Sequence, residues 1–474
     1  MNVSFQQRQF FLLQNLDPES SAYNIPLVFT IDGALDTMRF EHAVATLFSS
    51  VDILTSSMKS SNGLLETTPG MATFTNLDYA DMSDSTPEEI FEYLDRFITK
   101  PFVMGEILYR TVLIKQEQNS YIWCLVLQHS ISDLKTKEKL CELIGNLYNN
   151  PSTPIPDTVK NYTDYVKYQT AWLASDSAIS QKNFWQSALE AVPKMLTLPV
   201  DNPRPSFLKF NGDVVYIEFD QETTVAIKNC AAQYKATPFL WLLTSYAVVL
   251  GKYANQDYFS IGVPFTNRRD DAFKETIGCF VNVLPVTIDF REPGTLFDLM
   301  GSIRKSMLLA HRNQEYPTEL IIKSTLPKGS SLDANPVYQT GFTFEPFVKL
   351  ALDDCDVIQR YMHHGGSQLD LFATFWEDQD CLSGVIEYNS TIFHEQTVER
   401  LAENFKHVVI ESLDNPQIDV HHADIVSRNE RLLIDSFCKG RVLSVTQGTD
   451  FVSLFKKSVD TFTLKNAVTF KDKV

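Results

Sequence analysis

Two periods of apolar residues run through this 474-residue chain. "NIPLVFTIDG" (24–33) is rich in β-formers and stops at Asp-Gly, which predicts a strand. "DTMRFEHAVATLFSS" (36–50) places Met38, Phe40, Ala43, Leu47 and Phe48 near helical spacing behind an aspartate cap, which predicts a helix. "ILYRTVLIKQEQNSYIWCLVLQHS" (107–130) reads as two strands around a polar turn. "DLKTKEKLCELIGNLYNN" (133–150) follows as a helix with Leu140, Leu143, Ile144 and Leu147 on one face. The stretch "LVLQHSISDL" (125–134) is thus a strand end, a short connector and a helix start.

A proline-rich break, "NNPSTPIPDTV" (149–159), precedes a helical passage, "QTAWLASDSAISQKNFWQSAL" (169–189), and a boundary between two lobes is expected near residue 176. Beyond it the same mixture returns. "FNGDVVYIEFD" (210–220) alternates as a strand does, and 223–254 is mostly helical with an interruption at Thr237-Pro238. "GVIEYNST" (384–391) and 394–414 give a late strand and a long amphipathic helix. The pattern alone predicts two α/β lobes. The longest apolar run, "PFLWLLTSYAVVLG" (238–251), falls short of the roughly 18 residues a membrane span needs, and a buried helix is expected there.

Composition narrows the function classes. Hydrophobic residues at 44% and charged residues at 21% are those of a folded chain. A net charge of −18 repels a phosphate backbone, and no basic stripe with interleaved aromatics relieves it, so neither nucleic acid nor anionic membrane is an expected partner. The seven cysteines are scattered and never form a CxxC pair, which points to reduced thiols and a cytoplasmic setting and away from a disulfide framework or zinc site. "MNVSFQQRQFFLL" has no basic stretch leading into an apolar one and does not read as a secretory signal.

The candidate chemistry sits at the strand end. An imidazole titrates near neutrality, and a strand fixes the direction in which His129 is presented to a cleft. Taken alone, a histidine followed by an aspartate four residues on is more often structural than reactive.

Ordered motifs add to this. "SFQQRQFFLLQNLDPESSAYNIPL" (4–27) resembles S-x-A-Q-x-R-x-x-x-L followed by "AYNIP", the opening of a condensation domain of the nonribosomal peptide synthetases. "VDILTSSM" (51–58) stands, as a poor match, where that family has H-E-x-L-R-T-x-F. "QHSISDL" (128–134) occupies the place of the signature H-H-x-x-x-D-G. "NYTDYVKYQ" (161–169) resembles Y-x-D-Y-A-x-W-Q, and "IGCFVNVLPV" (277–286) resembles I-G-x-F-V-N-x-x-P-x closely. "HRNQEYPTELII" (311–322) and "DANPVYQTGFTFE" (333–345) complete the series.

The resemblance implies two lobes similar to chloramphenicol acetyltransferase, set in a V around a central tunnel, with residues 1–175 and 176–435 as the lobes. It implies amide formation between a thioester-bound donor acyl or aminoacyl group and the amine of an acceptor. Both substrates ride on the 4'-phosphopantetheine of carrier proteins, and the domain itself binds no cofactor or metal. By position, His129 is the catalytic residue, Gln128, Asp133 and Leu134 build the signature loop, and Arg8, Gly278, Asn282 and Asn335 are tunnel or acceptor-side candidates. Tyr162, Asp164 and Gln169 are expected to pack and hydrogen-bond between lobes.

Three departures from the family pattern carry consequences. Gln128 replaces a histidine and cannot titrate, so it is expected to be structural. Leu134 replaces glycine, so the turn is expected to enter the helix directly after Asp133. Ser50 and Thr55 stand where arginines are expected, so Asp133 needs another donor: Arg8, backbone N–H groups, or solvent. The pairs His363-His364 and His421-His422 are expected on surface loops. The segment 436–474 holds a linker and, in "DFVSLFKKSVDTFTLKNAVTFKDKV" (450–474), a resemblance to the start of an adenylation domain, which makes such a domain an expected partner in the same polypeptide. Its last ~25 residues are expected to lack their fold partner. The rival readings are an epimerisation domain and a degenerate member that only recruits other proteins.

Overall fold

The computed structural model describes residues 3–61, 64–68, 77–292, 294–325, 334–439 and 450–466. Met1–Ile425 form one compact unit and Val426–Val474 a second.

Within the first unit, the described strands make two large mixed sheets. One runs Cys355–Arg360, Asn24–Gly33, Ser120–Gln128, Tyr109–Glu117, Asp78–Asp81. The other runs Gly212–Glu218, Cys381–Asn389, Leu371–Asp378, Thr340–Phe344, Tyr258–Phe265, Asn282–Asp289. The strands predicted at 24–33, 107–130, 210–220 and 384–391 are all present. The edge strand Cys355–Arg360 comes from late in the chain and pairs antiparallel with Asn24–Gly33, from Val28 opposite Arg360 to Gly33 opposite Cys355.

Burial explains the local patterns. Ser120–Gln128 has a strand on each side and is buried continuously from Ile122 onward, which is why its sequence reads as an unbroken apolar run and not an alternation. Trp123 lies within ring contact of Phe29 and Phe40 and donates its indole N–H to Thr111, 2.8 Å away, so the large side chain is buried with its polar atom satisfied. The helix Pro238–Ala254 is buried on every side, with Thr237 as N-cap and Pro238 in its first turn, as the Thr-Pro interruption indicated.

The helix Thr37–Ser50 starts behind the Asp36 cap, but its buried face is Phe40, Ala43, Val44, Leu47 and Phe48. Met38 is 81% exposed. Two residues before Phe40, it is rotated by about 200° to the opposite side of the helix. The helix Asp176–Leu189 lies in the predicted helical passage.

The second unit holds the helices Arg428–Cys438 and Phe451–Thr461, neither with a buried residue. Ala467–Val474, the end of the adenylation-like motif, lie outside the described residues, as does Asp333 of the motif at 333–345. No described helix is long and apolar enough to cross a membrane.

Candidate active site

Register places the signature residues. Asn24, the first residue of its strand, is opposite Gln128, the last of the neighbouring strand, so His129 leaves the sheet beside the start of Asn24–Gly33. One 3-10 turn, His129–Ile131, follows, and the helix Leu134–Asn149 begins immediately after Asp133. Leu134 therefore opens a helix, as expected, and needs no glycine. Gln128 is fully buried, and its side-chain carbonyl accepts the Ser130 N–H, so it shapes the turn from within.

His129 is held by its backbone and by one face of its ring. Its N–H donates to Tyr23 O at 2.8 Å, and its imidazole stacks on Phe10 with centroids 4.2 Å apart and planes 13° apart. The side chain is half-buried. Nδ1 is sealed off, with no hydrogen-bond partner from another described residue. The nitrogen left to meet a ligand is Nε2. Burial lowers the imidazole pKa below the ordinary 6.5, against the opposing pull of its own carbonyl, Asp133 and Glu345, so the ring is neutral at pH 7.

The backbone N–H donors expected for Asp133 are present, but its cationic partner was missed from sequence. It is Arg268, not Arg8: Arg268 Nη2 lies 3.0 and 3.2 Å from the two carboxylate oxygens, and both side chains are almost fully buried. Asp133 also accepts the N–H of Thr136 at 2.8 Å, capping the helix, and that of Phe280 at 2.9 Å. Arg268 further donates to the carbonyls of Phe273 and Thr276 and lies over the Phe280 ring at 3.9 Å. The available signal was the Arg268-Arg269 pair ten residues before Gly278. Arg8 instead forms a two-pronged ion pair with Glu319, at 2.8 and 2.7 Å.

The segment 277–282 is clamped to this loop. Thr136 Oγ1 donates to Gly278 O at 2.7 Å and lies 2.9 Å from the Gly278 N–H. Gly278 has φ +151°, and a Cβ there would come within 2.0 Å of the Tyr162 ring. The Tyr162 hydroxyl reaches Cys279 O and Ser4 Oγ, and Gln169 accepts the Phe5 N–H and donates to Gln6, so both tie distant segments together. Asp164 is an exposed partner of Lys167. Asn282 is buried, donating to the carbonyls of Gln314 and Tyr316 and accepting from Thr318. Asn335 caps a turn by accepting the N–H groups of Val337 and Tyr338.

A cavity of about 360 Å³ opens beside His129, with Asp133, Leu134, Val281 and Val283 in its wall and Phe344, Tyr361 and Trp376 among its aromatic lining. Arg8, Gly278, Asn282 and Asn335 are not among the described residues that line it. Gly278 and Asn282 act from behind the wall, in the segment that presents Val281 and Val283.

The expectation of a surface loop fails for His363 and His364. Their side chains are 11% exposed, and both lean toward Glu387, whose Oε1 lies 3.3 Å from His364 Nε2. His364 and Glu387 line the same cavity as His129. The cause is the strand Cys355–Arg360, which crosses to the other sheet and carries the following residues inward. His422, by contrast, is exposed.

Gramicidin S synthase 2 of Aneurinibacillus migulanus is 27% identical over 97% of this chain, and the chain spans only 10% of that protein. A four-domain nonribosomal peptide synthetase crystallised with AMP and glycine is similar in structure, at TM-score 0.86 and 20% identity over 97% of this chain and 36% of that one. The X-domain from teicoplanin biosynthesis is similar at TM-score 0.79 and 18% identity, over 90% of this chain and 97% of that one. The pattern of the condensation domain family matches residues 1–434, and the chain belongs to that family.

Proposed function

We propose that this chain forms an amide between a thioester-bound donor acyl or aminoacyl group and the amine of a carrier-bound acceptor, with His129 as the catalytic residue. One observation carries the reading: a neutral, half-buried imidazole faces a cavity large enough for reacting groups. The acceptor nitrogen attacks the thioester carbonyl, a C–N bond forms, the C–S bond breaks, and the thiol leaves on its phosphopantetheine arm. The nitrogen becomes cationic and acidic as it adds, and Nε2 of a neutral His129 can take its proton or stabilise the dipolar intermediate. The thioester is already activated and both substrates are tethered, so positioning supplies much of the acceleration.

Residues 1–175 and 176–435 are read as the two lobes around the reaction tunnel. Residues 436–474 are read as a linker and the opening of an adenylation domain in the same polypeptide, a reading supported by alignment to gramicidin S synthase 2 over 97% of the chain. Seven free cysteines suit a cytoplasmic setting.

A recruiting role is the second reading, favoured by the likeness to an X-domain, which has been crystallised in complex with OxyB. The test supplies donor and acceptor carrier proteins loaded with candidate pairs and follows the acceptor by intact mass. Wild type is expected to give an amide product, and His129→Ala to lose about 10²–10⁴-fold in rate. Carriers that bind without any product from any pair would favour recruitment. An equally active mutant would remove His129 as a catalyst.

A further inference from the structure

Glu387 is a buried carboxylate in the cavity wall with no lysine or arginine partner among the described residues. The described contacts all fall on Oε1: His364 Nε2 at 3.3 Å, the Tyr361 hydroxyl at 3.3 Å, and His363 Nε2 at 3.9 Å.

Three such groups, with ligand atoms within 4.8 Å of one another, would at first suit a divalent metal. The hydrogen bonds argue otherwise. A histidine that binds a metal through Nε2 donates its Nδ1–H to an acceptor. Here Nδ1 of His363 accepts the Gly365 N–H and Nδ1 of His364 accepts the Gly366 N–H, both at 3.3 Å. Each ring proton therefore sits on Nε2, where His364 aims it at Glu387 and His363 donates to Gly366 O at 2.9 Å. All of these contacts fall on Oε1, and no lysine or arginine among the described residues pairs with the carboxylate.

The other charges of the cavity are accounted for. Asp133 is paired with Arg268, Lys137 with Glu345, and Lys135 with Glu138, while Arg360 is exposed. Beside Glu387 stands an aromatic stack, Tyr361 on Trp376 with centroids 4.9 Å apart and Trp376 on Phe347 at 5.6 Å. A carboxylate without a lysine or arginine partner among the described residues, beside an aromatic cluster, favours one ligand chemistry, an organic cation.

We infer that Glu387, with Tyr361 and Trp376, forms a subsite for a protonated amine on the side chain of a substrate, which deepens the condensation reading and rests on it. The subsite makes amine-bearing residues such as diamino acids the preferred class over their apolar isosteres.

The probes are pantetheine amides of Nα-acetyl-lysine and Nα-acetyl-ornithine, set against those of Nα-acetyl-2-aminoheptanoic acid and Nα-acetyl-norleucine respectively, titrated calorimetrically into the full chain. Wild type is expected to bind the better amine probe at least about ten-fold more tightly than its isostere, the scale of one charge-assisted hydrogen bond. In Glu387→Gln that preference should fall to within about two-fold while affinity for the isostere is unchanged, which shows that the variant keeps its cavity. Equal binding of both kinds of probe to wild type, or a preference that survives Glu387→Gln, overturns the subsite and leaves the condensation reading standing. Wild type that binds neither kind overturns the subsite, and absence of amide product in the carrier assay would overturn the condensation reading separately.

Discussion

Two buried carboxylates line one cavity, and their surroundings differ in kind. Asp133 meets a guanidinium and two backbone N–H groups, so both its oxygens are engaged. Glu387 meets two imidazoles and a phenol, all on one oxygen. A carboxylate with its own cation holds a loop in place; one without retains capacity for a ligand. Equal burial therefore does not imply equal function, and the partner list separates the two roles.

The comparison can be broken by substitution. Removing one side of the buried pair leaves an uncompensated charge, so Arg268→Ala should cost about 3–5 kcal/mol, measured by denaturant unfolding of the full chain. Glu387→Gln keeps the shape and removes a charge that no lysine or arginine among the described residues pairs with, so it should cost no more than roughly 1–2 kcal/mol. Equal losses at the two sites would erase the distinction.

Acid offers a smaller lever. Burial pushes the His363 imidazole down to about 4, with His364 adding to the effect. The unfolded chain protonates this group near its ordinary 6.5, so it binds the proton more readily than the fold does. Stability should fall as pH drops from about 6.5 toward about 4, on the order of a few kcal/mol, and His363→Gln should flatten that stretch of the stability–pH curve.

Glu387 titrates with the same sign at lower pH. Burial raises its carboxyl pKa, but the His364 and His363 imidazoles and the Tyr361 hydroxyl more than offset that, leaving it below its ordinary 4.5. Its contribution is present above the unfolded value and is lost as pH falls through the folded one. Glu387→Gln should remove this slope below about 4.5, by an amount smaller than the His363 effect.

Local patterns were legible where a residue's neighbours are close in sequence. Asp36, Thr237 and Asp133 cap helices whose starts could be read directly, and the Ser120–Gln128 run could be read as a strand because it is buried on both faces. His129 could be placed because a strand end fixes direction. What escaped were pairings set by the meeting of remote segments. Arg268 is 135 residues from Asp133, and no period connects them. His363-His364 followed by Gly-Gly has the composition of a turn, and only the crossing strand before it carries the pair to the cavity. Met38 was misjudged for a simpler reason: the apolar face was counted by composition, where the helical angle places it outside.

The edge strand Cys355–Arg360 also sets an order of events during synthesis. Asn24–Gly33 has its inner neighbour once residue 128 has left the ribosome, but its outer edge stays unpaired until residue 360 arrives. At about 5–20 residues per second, the 232 residues between keep that row of N–H and C=O groups open for roughly 10–50 seconds. An exposed edge is a template for foreign strands. The nascent chain therefore passes through a long interval in which its first sheet is formed but unsealed, and a fragment ending before residue 355 would remain in that state permanently.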